Sequence, residues 1–449
     1  MGGKSSLASV AKPAYREGKH LAERVFLDAM AEIDVRRAML ARLKWDGSTL
    51  TAGNVSFPLA KPPRVVAFGK AATRMAQVLH EILDGRVESG VVVAPAAPVR
   101  MVPHFRYYVG GHPYPSSGSI EGAGAALELV SNLKEEDNVI FLVSGGGSAV
   151  FERPFDPSIS LEDLVEFNRV LVTGGLPIEK INVLRKHLSA VKGGRLAIQA
   201  YPARQLTIYI SDVPEHLPSI VASGPTMPDE STIQESYDLA EQHGLVARFP
   251  ASIRHHFEKR TLTETPKPDD ERFLNSRYYC LLSNRHVVAA AREAAEKLGF
   301  VSEIGPQPWD IDFRRLAEAN LGALDSLAKA HEGQPVCLVV GGEVTCPVTG
   351  PGVGGRNQAF VLYAAQLIAG LKRVVLSAGT DGRDGNSPAS GAVADGQTMA
   401  RAQALGMDAH HHLMESDAYS FFRSLGDTLD TGFTDNNVRD LRLWLDFGV

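Results

Sequence analysis

Three short segments join glycine to the residue types that handle phosphate and divalent cations. The first is Ser144-Gly145-Gly146-Gly147-Ser148, which follows the apolar run NVIFLV. Three consecutive glycines can aim successive backbone N–H groups at one anion with no Cβ in the way, so this loop suits phosphate or a carboxylate. The second, Gly350 to Gln358 (GPGVGGRNQ), satisfies G-x-G-x-x-G and opens a helical pattern. That spacing is shared with dinucleotide-binding turns, but Pro347 and Pro351 interrupt the approach, and a hairpin strand rather than a βαβ strand precedes it. It is therefore read as an anion-binding loop in which Gly354, Gly355 and Asn357 meet a nucleotide phosphate. Arg356 at its mouth is the residue type suited to bidentate binding of phosphate or carboxylate. The third segment, Thr380 to Ser387 (TDGRDGNS), sets Asp381 and Asp384 three residues apart on a glycine-rich turn. Hard oxygen ligands of this kind suit Mg²⁺ bridging nucleotide phosphates, although Asp384, followed by glycine, fits an Asx turn as well.

Single charges complete the set. Lys70 lies in Gly69-Lys70-Ala71-Ala72, between a strand ending at Phe68 and a helix, where an anion is favoured by the helix dipole and unbonded N–H groups. The segment is not a Walker A loop, since Arg64 stands where that motif has its first glycine. Asp212, at the end of the strand-like run QLTIYI, is placed to hold a metal or accept a hydroxyl proton, and equally to cap a helix or close a turn. Between Arg185 and Arg195 the segment RKHLSAVKGGR is strongly basic. Such runs ordinarily form a solvated face, which leaves Lys192 and Arg195 as the positions able to contact phosphate.

The elements that must position these loops read as α/β. Apolar residues from His20 to Leu43 recur at helical spacing and predict one long amphipathic helix. Short apolar runs at 64–68, 90–93, 106–109, 138–143 and 205–210 alternate with helical patterns, the rhythm of a Rossmann-like, doubly wound parallel sheet. The polar, proline-containing stretch TLTETPKPDDER marks a boundary, giving an N-terminal domain over residues 1–262 and a C-terminal α/β domain over residues 273–449. In the second domain the runs at 278–282, 336–340, 343–348 and 373–376 read as strands. A hairpin about Gly341-Gly342 would make that sheet mixed. A chain of 449 residues exceeds what one core supports, and two domains place the active site in the cleft between them.

Composition excludes several classes. With 46 Lys and Arg against 52 Asp and Glu, the net charge is −6 and no basic stripe tracks a nucleic acid. Cys280, Cys337 and Cys346 have neither disulfide-framework nor zinc spacing. No apolar run spans a membrane and no leader precedes the first helix, which points to a cytoplasmic protein. The opening MGGKSS fits the loose N-myristoylation pattern, which small polar residues at a terminus also match by chance.

Taken together, GKAA, GGHPYP, SGGGSA, RKHLSAVKGGRLA, SDVP with VASGPT, GGE with GGRNQ, and AGTDGRDGNS resemble the glycerate 2-kinase family, in order, from about residue 20 to about residue 440. The resemblance implies an N-terminal Rossmann-like domain followed by a MOFRL-type domain. It further implies ATP- and Mg²⁺-dependent phosphorylation of D-glycerate at the 2-hydroxyl, with functional roles for Lys70 and Arg356. Asp212 and Asp381 both remain open as proton acceptor, and a homo-oligomer is compatible with it. Where relatives carry a TGPTGTNV-like run, this chain has TGFTDNNV from Thr431 to Val438. Two other readings are an NAD(P)H-dependent hydroxypyruvate reductase and a sugar-acid sensor without catalysis.

Overall fold

The computed structural model describes residues 17–448. The opening hexapeptide, with its match to an acylation pattern, lies outside them. The described chain divides into two compact units: residues 35–283, and residues 17–34 together with residues 284–448.

The first unit is built on six strands: β1 (Arg64–Phe68), β2 (Ser89–Ala94), β3 (Phe105–Val109), β4 (Asn138–Val143), β5 (Arg204–Ile210) and β6 (Ser276–Leu282). They lie in the order β3-β2-β1-β4-β5-β6, and every neighbouring pair is parallel. Parallel strands joined by helices are covered on both faces, which is why β4 is buried at all six positions and reads as an unbroken apolar run. Val66, Phe68, Phe141 and Val143 pack with Phe151 and Leu196 in one core, and the Phe68 and Phe151 rings stack at 4.3 Å. A separate core drawn mainly from helices, including Leu171, Leu184, Ile253 and Phe257, fills the same unit.

The second unit contains β7 (Val301–Ile304), β8 (Val336–Val340), β9 (Arg373–Gly379), β10 (Gly391–Asp395), β11 (Thr428–Leu429) and β12 (Asp440–Asp446). Their order is β7-β8-β12-β9-β10-β11, parallel only between β7 and β8, so this sheet is mixed as expected. Phe360 of the helix Arg356–Leu367 packs edge-on against Trp444 of β12 in its core.

Three local expectations are corrected. The single helix over 20–43 is two helices, Gly18–Glu32 and Val35–Arg42, and they belong to different units. The division after the first sheet falls at Ser283 rather than within 262–273, because β6 completes the parallel sheet beside β5. The polar stretch 261–272 misled because its charges are paired inside the unit: Glu264 meets His187 at 3.0 Å and Lys267 at 2.7 Å. Finally, Glu343–Thr345 forms no hairpin with β8 but pairs in parallel with Trp309–Asp312. Gly342, at φ 83°, turns the chain out of β8, and its N–H donates to Asn284 Oδ1 at 2.8 Å.

Candidate active site

In the first unit the chain adds β2 and β3 on one side of β1, then crosses over to place β4 on the other. The carboxyl ends of β1 and β4 therefore flank the point where the strand order reverses, which is where open α/β sheets bind ligands. The loops that leave these two strands are Gly69-Lys70 and Ser144–Ser148, two of the segments singled out from sequence.

Backbone contacts lock the two loops together. Lys70 N–H donates to Gly145 O at 3.0 Å, Ser144 N–H to Phe68 O at 3.1 Å, and Ala71 N–H to Ser144 Oγ at 3.0 Å. Gly69 has φ 108°, and a Cβ there would lie 2.4 Å from Ser144 O, so only glycine lets the strands deliver their loops this close. A Cβ on Gly145 would meet Asp212 Oδ2 at 2.4 Å, and one on Gly146 would lie 3.2 Å from Lys70 Cγ and 3.3 Å from His112 Cδ2. Lys70, Asp212 and His112 thus converge on the triple glycine. Ser148 Oγ bonds Ser223 Oγ at 2.9 Å, and Ser223 in turn donates to Asn182 Oδ1 at 2.9 Å. Ser144 is the exception: its hydroxyl is buried and braces the loop from within. His112 was missed as a site residue, although the GGHPYP segment around it was part of the family resemblance.

Lys192 is not at a phosphate-binding surface. Its side chain is fully buried, with Nζ on the Glu152 carboxylate and 3.3 Å from Phe151 O. Burial depresses its pKa, and the Glu152 carboxylate works against that shift. The rest of the basic run is tied down likewise: Arg185 donates to Asn168 at 2.8 Å, Lys186 pairs with Asp229 at 2.8 Å, and Arg195 donates to Thr263 O at 2.8 Å. Composition showed the positive charge but not the carboxylates, brought in from distant sequence, that neutralise it.

The second unit gathers Arg356, Asn357, Asp384 and Asp440 around the start of the helix Arg356–Leu367. Arg356 donates through Nε to Asp440 Oδ2 at 2.7 Å and through Nη2 to Asp440 Oδ1 at 2.9 Å, while Nη1 lies 2.6 Å from Glu343. Burial opposes its charge, but Asp440 and Glu343 outweigh that and hold its pKa above the ordinary guanidinium value. Asp440, at the start of β12, is fully buried and also accepts from Asn357 Nδ2 at 3.1 Å and Arg442 Nη2 at 2.9 Å. Burial would raise its pKa, yet Arg356 and Arg442 pull it down to about 2.

Asp384, expected as a metal ligand, instead caps the helix. Its Oδ1 accepts from Asn357 N–H at 3.0 Å and Asn357 Nδ2 at 3.2 Å, and its Oδ2 from Gln358 N–H at 2.8 Å. Burial pushes its pKa up to about 6 against those donors, with Asp440 adding to the rise. Asn357, expected at a nucleotide phosphate, is likewise buried and committed to Asp384, Asp440 and Ser377. Gly354 N–H donates to Asn386 Oδ1 at 2.8 Å, and a Cβ on Gly355 would lie 2.3 Å from Asp384 Oδ1. The N–H groups of Gly354, Asn357 and Gln358, which a dinucleotide pyrophosphate would use at this helix start, are thus committed internally.

Among the described residues no group of three or more His, Cys, Asp or Glu side chains is arranged to hold a metal ion. Mg²⁺ that arrives on nucleotide phosphates needs only one or two protein carboxylates. Asp381 fits that role: it is half-buried on the loop after β9, and one carboxylate oxygen caps Arg383 N–H at 3.2 Å. The divergent segment after Thr431 braces the same loop. Thr434 Oγ1 donates to Thr380 O at 2.6 Å, and the Arg383 guanidinium lies 4.5 Å from the centre of the Phe433 ring.

The chain matches two family models: a domain of unknown function (DUF4147) over residues 21–258 and the MOFRL family over residues 336–440. It is 36% identical over 385 residues to D-glycerate 2-kinase of Thermotoga maritima, covering 85% of this chain and 90% of that one. It is 33% identical over 421 residues to glycerate 2-kinase of Pyrococcus horikoshii, covering 92% and 94%. The crystal structure of glycerate kinase from Thermotoga maritima superimposes with a TM-score of 0.82 at 33% identity, covering 95% of this chain and 99% of that chain.

Proposed function

This chain belongs to the glycerate kinase family and is a kinase, and we propose that it transfers the γ-phosphoryl group of ATP to the 2-hydroxyl of D-glycerate, giving 2-phosphoglycerate and ADP. The observation that carries this reading is the convergence of Lys70 and Asp212 on the Gly145–Gly147 loop at the strand-order reversal. In the transfer, the bond from the glycerate 2-oxygen to the γ-phosphorus forms while the bond to the bridging oxygen of ADP breaks. Asp212 accepts the hydroxyl proton. Lys70 neutralises charge on the phosphoryl oxygens, and the glycine loop supplies backbone N–H groups to the phosphates.

Bound Mg²⁺, with Asp381 as its protein ligand, would screen the phosphate charge. Arg356 has five N–H donors, three of which meet Asp440 and Glu343. The other two are offered to substrate from a guanidinium that its carboxylate partners hold in one orientation. Loose phosphoryl-transfer transition states respond to positioning and charge neutralisation more than to base strength, so Lys70 and Arg356 matter more than the identity of the base.

The test is ADP release with D-glycerate, ATP and Mg²⁺, with the product identified by phosphorus NMR, run beside NADH oxidation with hydroxypyruvate. Glycerate-dependent ADP release with 2-phosphoglycerate as product supports the reading. NADH oxidation without ADP release refutes it, and 3-phosphoglycerate as product refutes the assigned position.

A further inference from the structure

A cavity of about 390 Å³ opens beside Arg356 in the second unit, and the phosphoryl-transfer chemistry above leaves its body unused. We propose that this cavity binds the nucleoside moiety of the nucleotide, an inference that rests on the kinase reading and assigns where its base and ribose sit.

Size is the first argument. D-Glycerate displaces on the order of four waters, ~120 Å³ at ~30 Å³ each, and would leave most of this space unfilled. Pockets of roughly 300–1,000 Å³ are those that enclose larger organic ligands.

The wall is the second. Much of it is apolar, including Phe313, Val344, Ala359 and Leu413. Its two guanidinium groups each meet a carboxylate, Arg356 held by Asp440 and Glu343 and Arg314 lying 3.9 Å from Asp312, and the His412 ring lies 3.2 Å from Asp417. A lining of this kind has little net field to draw in a small free anion, and suits a flat, uncharged, amphipathic group. Arg314 contributes a planar guanidinium, already 4.6 Å from the Phe313 ring centre, of the kind that stacks on aromatic rings. Asn386 and Ser416 add polar groups to the lining. Arg356, which also lines the cavity, then meets the phosphate chain.

The cavity carries its own reporter. Cys346 lines it and is half-buried, whereas Cys280 lies in β6 of the other unit and Cys337 is fully buried. Burial pushes the Cys346 thiol up to about 11, so alkylation by iodoacetamide is followed at alkaline pH on the full chain. Peptide mass spectrometry reads the labelling rate of Cys346, with Cys280 as internal control. Adenosine and ADP, each at ten times its dissociation constant, are expected to slow Cys346 labelling about tenfold and leave Cys280 unchanged, as occupancy of one site requires.

Protection by D-glycerate or inorganic phosphate but not by adenosine would overturn the proposal in favour of an acid or anion site. Protection by none of them, in a preparation that phosphorylates glycerate, would overturn it while leaving the proposed function intact. As a second arm, Ala359→Leu narrows the cavity from the helix Arg356–Leu367. A raised KM for ATP with an unchanged KM for glycerate supports the assignment, and the converse refutes it.

Discussion

Asp440→Asn is the most informative single substitution in the second unit. The native carboxylate is fully buried and accepts four donors: Arg356 Nε and Nη2 at 2.7 and 2.9 Å, Asn357 Nδ2 at 3.1 Å and Arg442 Nη2 at 2.9 Å. Asparagine keeps the shape but replaces one acceptor oxygen with an NH₂ group that faces N–H donors, and it leaves two guanidinium groups without their shared counter-charge. Removing one partner of a buried ion pair costs about 3–5 kcal/mol, which in a unit of this size lowers Tm on the order of 10 °C. Because the same carboxylate orients Arg356, kcat should fall by more than about tenfold, the factor that 1.4 kcal/mol of lost transition-state stabilisation produces. Calorimetry and ADP-release kinetics on the same preparation measure both. Replacing Arg442 as well, in Asp440→Asn/Arg442→Met, should restore part of the stability by removing one uncompensated cation. A Tm within about 2 °C of wild type, below the ~6 °C minimum for such a pair, would refute the view that Asp440 holds this network together.

Four further outcomes follow from the geometry. Lys70→Ala should lower kcat/KM for glycerate phosphorylation on the order of 10³-fold with little change in Tm, since Lys70 acts on developing charge; a loss of tenfold or less would count against that role. Gly145→Ala places a methyl 2.4 Å from Asp212 Oδ2 and should abolish most activity while the unit still unfolds cooperatively, as thermal melts would show. Glu152→Gln strands the buried Lys192 cation and should destabilise the first unit by about 3–5 kcal/mol in denaturant titrations. Asp384 binds its proton more tightly in the folded state, at about 6 against 3.8 unfolded, so its contribution is fullest below pH 3.8 and is lost as pH rises to 6. That amounts to about 3 kcal/mol by linkage, and Asp384→Asn should flatten the stability profile across this window.

How much of this was legible beforehand differs by link. The apolar runs that became β1, β4 and β8 were readable because a strand buried on both faces is dominated by apolar residues. The glycines at 145–147 were readable because few other demands place three in a row after such a strand. Lys70 and Asp212 were readable as charges at strand ends, and the fold then brought both to the same glycine loop. The basic run at 185–195 was visible, but its role was not, since Glu152, Asp229 and Glu264 reach it only through the fold.

The sequence by itself determined the α/β class, the family, and which loops stand at strand ends, because periodicity and turn chemistry are local properties of the chain. Tertiary structure alone decided what each charged side chain does. Asp384 and Asp381 are three residues apart on one turn, yet the first is sealed under a helix start by three N–H donors while the second remains partly open to solvent. Arg356 is fixed by a carboxylate 84 residues away, and the short strand Glu343–Thr345 pairs with Trp309–Asp312 rather than with its neighbour β8. A charged group's role depends on desolvation and on which counter-charges lie within a few ångströms, and those distances exist only once the chain has folded.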